Sequence, residues 1–367
     1  VAVTVTAITI ALATAGYLAK GRRSVTVSPI APTARTVFGA APAVEDPEIR
    51  ILAGYGGPRY LDSFGRTWLS DRFYSGGRVT SQPDRRIYRT QDPTIYRTAR
   101  LGDFQYDIPL KPGLYQVHLH FAETIFGEAN FESTGEGTRR FNIQMNGHTV
   151  LRSFDIIADA GGPNIADERV FKDVTPDADG FLHLKFLRTQ NSPEVPLLNG
   201  IEILPGIPGK IRPIRILAGG RPYIDSMDLV WGPDRYFLGG MPIQRSESVK
   251  GTNDTRLYAG ERWGHFSYAI PVPEGSYQLT LRFSERDFGP SNLSKGGVGS
   301  RFFDVFCNGV ALLRNYDIYA DAGGENRAVA KTFRGLKPNH QGKLVLSFVP
   351  GRNYACVNAI EVVDDKP

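Results

Sequence analysis

Hydrophobic and polar residues alternate with a period of two along much of this chain. In "YQVHLHF" the pattern sets Tyr115, Val117, Leu119 and Phe121 on one face, and "YQLTLRF" does so with Tyr277, Leu279, Leu281 and Phe283. "FLHLKFL" and "KLVLSFV" alternate through Leu182, Leu184 and Phe186, and through Leu344, Leu346 and Phe348. A period of two is that of a half-buried strand. The runs are bounded by "KPG", "PEG", "MNG" and "CNG", whose Gly, Pro and Asn suit tight turns. No amphipathic helix of comparable strength emerges, so the pattern predicts an all-β chain of the sandwich type.

The same pattern is written twice. "IYRTARLGDFQYDIPLKPGLYQVHLHFAETIFG" returns without a gap as "LYAGERWGHFSYAIPVPEGSYQLTLRFSERDFG", at an offset of 162 residues that carries Tyr96 to Tyr258. "SFDIIADAGGPN" at 153–164 likewise returns as "NYDIYADAGGEN" at 315–326. Two copies are too few for a solenoid, so the expectation is two tandem β-sandwich domains, 49–206 and 214–364. The Pro/Gly-containing stretch 207–213 joins them.

The N-terminus departs from this alternation. Residues 1–19 carry no charge and, at 1.5 Å per residue, are long enough for the hydrocarbon core, with "KGRR" following. Residues 1–20 are therefore expected to be a transmembrane helix. A secretory signal peptide is the alternative, since "ALA" and "ATA" resemble cleavage sites. Residues 21–48, rich in Pro, Ala and Thr, read as a linker. Basic residues after the span favour a cytoplasmic flank, but a large folded β-region behind one anchor favours the periplasmic or extracellular side. The second is the expectation.

Charge and cysteine content narrow the function classes. The 43 basic and 38 acidic residues, net +5, are interspersed without long runs, so a nucleic-acid partner is not expected. Cys307 and Cys356 are too few for a disulfide framework and lack metal spacing, although a bridge between them stays open. Cys307 shares the parity of Phe303 and Val305 and reads as a buried thiol.

Recurrent acids invite a catalytic reading: Glu123 with Glu285, Asp155 with Asp317, and Asp159 with Asp321. A catalytic pair duplicated in both halves is redundant, whereas a carboxylate that pins a loop is needed in each copy. Asp155 and Asp159, like Asp317 and Asp321, are thus expected to hold the turn of the doubled motif. His118 and His120 are not echoed by Thr280 and Arg282 and are expected to face solvent. With no "GxSxG", phosphate loop or His-containing metal motif, no enzyme activity and no cofactor are expected.

In combination, "RILAG" (50–54 and 215–219), "DRFYSGG" (71–77), "DRYFLGG" (234–240), the "NG" hairpins, "DIIADAGG" and "LNGIEIL" (198–204) resemble the malectin family of carbohydrate-binding domains. The resemblance spans both copies and implies jelly-roll sandwiches that bind glucose-rich oligosaccharide without catalysis. In such sites an aromatic ring packs on the apolar face of a sugar, and a carboxylate accepts its hydroxyls. Carried over, the resemblance implies Tyr74, Phe126 and Glu194 in the first copy, and Phe237, Trp263, Phe288 and Asn353 in the second. Where sugar-binding relatives carry tyrosine, the first copy has Leu101 and Ile125, and the second has Asp287 at one such position.

Two functions follow as expectations. One is a membrane-anchored tandem protein that binds a glycan weakly. The other is a structural or protein-interaction subunit of a larger membrane complex, motivated by the lost rings, the linker and the anchor.

Overall fold

The computed structural model of the protein describes residues 48–127, 135–246 and 248–365. The expected span at 1–20 lies outside the described residues, as does all of the 21–48 linker except Glu48. Among the described residues no helix is long and apolar enough to cross a membrane.

The described chain is mostly β and forms two sandwich-like halves. In the first half, one sheet runs in the order Arg59–Leu61, Thr67–Leu69, Ile49–Leu52, Gly200–Pro205, Tyr115–Phe121, Asp167–Val174. The facing sheet runs Leu197–Leu198, Thr98–Pro109, Phe181–Arg188, Phe141–Met145, His148–Phe154, with Tyr74–Ser81 also paired to Thr98–Pro109. The second half repeats this with Ile214–Leu217, Ala359–Asp364, Tyr277–Phe283 and Val329–Leu336 against a sheet built on Gly260–Pro271.

Alternation places the cores as expected. Val117, Leu119, Phe121, Leu182, Leu184 and Phe186 are buried together in the first half. Leu279, Leu281, Phe283, Leu344, Leu346 and Phe348 are their counterparts in the second. Each such side chain contributes about 1.5–3 kcal/mol when removed from water. Cys307 and Cys356 join the second core as unbridged thiols. Burial pushes the Cys307 thiol up to about 11 and raises Cys356 as well, so both stay protonated.

The doubled motif forms a single α-helical turn in each half, Ile156–Ala160 and Ile318–Ala322, rather than a plain loop. Asp155 caps the first, accepting from the Ile157 and Ala158 amides at 3.0 and 3.2 Å. Asp317 accepts from Ala320 at 3.0 Å and from Gly299 at 2.6 Å. Here the caps act as expected. Their companions do not. Asp159 instead pairs with Arg169 at 2.9 Å and Lys343 at 2.5 Å, and Asp321 pairs with Lys331 at 2.7 Å.

The Lys343 contact belongs to a polar seam between the halves. Lys343 also lies 2.8 Å from Asp167, and the Tyr236 hydroxyl donates to Glu168 at 3.2 Å. The expectation that His118 and His120 face solvent is corrected here. They occupy the outward face of their sheet, but the second half covers that face, leaving them 8% and 4% exposed. His118 Nδ1 lies 2.5 Å from Glu168, and His120 Nδ1 lies 3.2 Å from the Tyr96 hydroxyl. Burial lowers the His120 pKa. Burial alone would raise Glu168, but His120, His118 and Arg235 outweigh it and hold that carboxyl well below its usual range.

Candidate functional site

The strand Gly260–Pro271 presents Trp263 opposite Met241 on one side and Cys356 on the other. Next to it, Gly264 has φ +126°, and a Cβ there would lie 3.2 Å from the Gly240 Cα. Only glycine suits this bulged crossing of two strands. Beneath, the Trp263 ring rests on the core of its half. At its edge stands Tyr354, with centroids 4.3 Å apart and planes at 60°. Tyr354 is 49% exposed, so this aromatic corner has both an anchored ring and an open one.

Arg301 ties the surrounding loops together. Its Nε donates to Glu285 at 2.8 Å, and its Nη1 donates to the Tyr354 carbonyl. The guanidinium stands 5.2 Å from the centre of the Phe288 ring and 3.6 Å from the Asp287 carboxylate. Glu285 in turn accepts from the Asp287 and Phe288 amides at 3.0 and 3.1 Å, the loop-pinning role expected of it. Asn353, exposed and in the left-handed region at φ +57°, donates to the Ser300 carbonyl at 2.6 Å. Trp263, Phe288 and Asn353 thus sit around one buried cation, together with Tyr354 and Asp287. Burial opposes the charge on Arg301, but the neighbouring carboxylates of Glu285 and Glu261 outweigh it and raise its pKa.

In the first half the frame is kept and the corner is not. Arg139 donates to Glu123 at 2.6 Å and to the Val195 carbonyl, and its guanidinium lies 5.2 Å from the Phe126 ring. Strand register pairs Leu197 with Leu101, as it pairs Cys356 with Trp263, which makes Glu194 the counterpart of Asn353 and Val195 that of Tyr354. Leu101 is buried in the core, with Ile125 packed against it. Glu194 is half-buried, and its carbonyl accepts from Ser192 at 2.7 Å.

Tyr74 and Phe237 belong to a different arrangement. Each ring lies over a buried guanidinium, Arg100 at 3.3 Å and Arg262 at 3.5 Å, so one face of each is taken by a cation–π contact. Those arginines pair with Asp71 and Asp234, whose other oxygens accept from Tyr106 and Tyr268 at 2.8 and 2.9 Å. This duplicated triad is scaffold.

Sequence reasoning missed Tyr354 and Arg301. The arginine left a signal, because Arg139 and Arg301 recur at the offset of the two glutamates they pair with. Tyr354 left none, because Val195 takes its place in the first copy. Among the described residues, no group of three or more His, Cys, Asp or Glu could hold a metal ion.

A family described as the Malectin domain matches residues 51–191 and 214–360. Malectin-B of Xenopus laevis is 36% identical over 81 residues, which are 21% of this chain and 27% of that protein. A probable leucine-rich repeat receptor-like serine/threonine-protein kinase of Arabidopsis thaliana is 32% identical over 117 residues, 30% of this chain and 11% of that protein. The chain therefore spans only a minor part of either relative. Among solved structures, that of the plant receptor-like kinase FER aligns over 87% of this chain and 96% of its own, with 20% identity and a TM-score of 0.45. Matched twice, over well more than half its length, the chain belongs to the malectin domain family.

Proposed function

We propose that the protein is a non-catalytic carbohydrate-binding protein whose working site lies in the second half. The single observation that carries this is the Trp263–Tyr354 corner beside the Asp287 carboxylate and Asn353. A ring pair offers apolar area to the CH face of a sugar, and Asp287 and Asn353 offer acceptors and a donor to its hydroxyls. Glucose-containing oligosaccharide, the ligand the resemblance implies, is the class to test first. On this reading, two binding modules at 49–206 and 214–364 stand on the extracytoplasmic side, held by a membrane span at 1–20.

An array of glucose oligosaccharides and surface glycans tests the reading. Retained signal that drops about fivefold or more in Trp263→Ala supports it. No signal on any glycan at millimolar ligand would sink it.

The first half supports a second reading. With Leu101 and Ile125 absorbed into its core, its loops suit protein contacts in a membrane complex. That reading expects stoichiometric membrane partners after extraction in mild detergent, and a partner-free preparation counts against it.

A further inference from the structure

The seam holds a cavity of about 50 Å³, lined by Arg89, Tyr96 and His120 of the first half and by Arg235, Tyr236 and Lys343 of the second. That is room for about four waters, or for one ion of about four heavy atoms.

The acids on its wall are matched. Glu202 pairs with Arg50 at 2.5 Å and with Arg66 at 3.0 Å, and Asp167 lies 2.8 Å from Lys343. Glu168 meets His118 and accepts from Tyr236, while Asp92 accepts from Tyr60 and Ser63 at 3.0 and 2.6 Å. Two of the cations are not matched. Among the described residues, neither Arg89 nor Arg235 forms an ion pair. The Arg89 Nη1 donates to the Ala160 carbonyl at 2.9 Å, and Arg235 lies over the Phe64 and Tyr236 rings at 5.0 and 4.7 Å. The Nε of each is buried without a hydrogen-bond partner, and so is the His120 Nε2. The Asp167 oxygens also lack a hydrogen bond, but Lys343 balances their charge. Three unpartnered nitrogens around one cavity require an acceptor. Burial holds the Arg89 pKa below its usual value, and the charges of Asp167 and Asp159 do not offset it. Arg66, Arg100 and Arg301, each paired with a carboxylate, are raised instead.

Arg89 is also an outlier in its backbone. Its φ of +63° lies in the left-handed region, which is unfavourable for any residue with a Cβ. Tyr236 shares that region at φ +66°, but Phe73 repeats it at +63° in the first half, so this outlier belongs to the scaffold. Arg89 is not repeated. Tyr88 bridges Ile165 as Lys250 bridges Arg327, so the counterpart of Arg89 is Gly251, at φ +79°. The second half uses the residue that suits the backbone, and the first half keeps a strained arginine. The bond to Ala160 does not account for it, because the second half forms the equivalent turn, Ile318–Ala322, with no side chain at 251.

We propose that this cavity binds a small, singly charged carboxylate ion, bridged between Arg89 of one half and Arg235 of the other. A guanidinium presents paired N–H donors to a planar carboxylate. With Nδ1 accepting from Tyr96, His120 adds a third donor at Nε2. The wall sets the charge, because a dianion would also meet Asp167 and Glu168. The size excludes a sugar ring, and no lining residue belongs to the Trp263–Tyr354 corner, so the site is independent of the carbohydrate reading. A bound ion joins the halves and stabilises the fold.

Urea denaturation of the full 367-residue chain in mild detergent tests this, with sodium acetate compared against sodium gluconate at equal ionic strength and pH. Acetate is small enough for the cavity, and gluconate carries the same group on a body too large for it. With acetate at about ten times its dissociation constant, the unfolding constant should be about tenfold lower than in gluconate. Arg89→Gly installs the residue of the second half, so it should keep the fold and lose the acetate effect. Arg235→Gln should lose the effect as well, with circular dichroism unchanged in both variants. Calorimetric titration of acetate into the wild-type chain should return the same affinity as the denaturation series. Equal stability in the two salts at every concentration, or an acetate effect that survives in either variant, overturns the proposal.

Discussion

The two halves of this molecule are one scaffold carrying two different edges. The Asp71–Arg100–Tyr106 group reappears as Asp234–Arg262–Tyr268, and Glu123–Arg139 reappears as Glu285–Arg301, with matching partners. What differs is Leu101 against Trp263, Val195 against Tyr354 and Ile125 against Asp287. The constant residues are buried ions whose loss strands a partner charge, whereas most of the variable ones, Val195, Tyr354, Ile125 and Asp287, sit in loops, where exchange is cheap. Divergence after duplication has followed that difference in cost.

The largest test of the comparison removes the shared frame. Arg262→Leu leaves Asp234 buried without its cation, and Arg100→Leu does the same to Asp71. Each should cost about 3–5 kcal/mol, measured by chemical denaturation. Similar losses support one scaffold, and a loss below about 1 kcal/mol in either half breaks the equivalence.

The seam is where the halves are least alike, and Lys343→Met probes it. The substitution strands Asp167 and leaves Asp159 to Arg169 alone, for an expected loss of about 3 kcal/mol. Phe181→Met, at the equivalent place in the first half, should change folding stability by under about 0.5 kcal/mol.

The same site gives a pH signature. Burial and the neighbouring Asp167 push the Asp159 carboxyl up to about 7, from an ordinary value of 3.8. The folded chain therefore holds a proton that the unfolded chain releases. Its contribution to stability falls as pH rises from 3.8 to about 7, and is flat above that. The gain in stability of Asp159→Asn over wild type should grow across that window, because asparagine has no proton to lose. Taking the difference cancels the opposite trend of His120, whose lowered pKa weakens the fold on acidification. A difference that does not vary with pH removes Asp159 from the account.

How far the sequence anticipated this molecule depends on range. Strands and cores were legible at Val117, Leu119 and Phe121 because a period of two is a local property of one strand. The pinning role of Glu123 and Glu285 was legible because duplication marks what both copies need. The burial of His118 and His120 was not, because alternation tells which face of a sheet a residue takes and not what later covers that face. The helical turns at 156–160 and 318–322 are too short to show a helical period. The Trp263–Tyr354 contact joins residues distant in sequence, neither of them with a counterpart ring in the first half, so neither periodicity nor repetition could reveal it.

A smaller effect concerns the two helical turns. Gly161 and Gly323 close them at φ +79° and +69°, with open space where a Cβ would go. Alanine at either position meets no clash, only the backbone cost of the left-handed conformation, about 1–2 kcal/mol. Equal losses in both halves, read from denaturation midpoints, show that the caps serve structure alone. A larger loss at one of them would point to a role outside its own turn.

The finest discrimination is between Tyr354 and its counterpart Val195. Tyr354→Ala removes the open wall of the aromatic corner while leaving intact the main-chain carbonyl that Arg301 holds. Sugar affinity should therefore fall by about 1 kcal/mol, close to fivefold, with folding stability nearly unchanged. Val195→Ala removes only a partly buried side chain from a half without such a corner, so binding should not change. Isothermal titration with the oligosaccharide that gives the strongest array signal separates the outcomes. Equal losses from the two variants would mean that both halves contribute to one site, and that the division of labour between them is wrong.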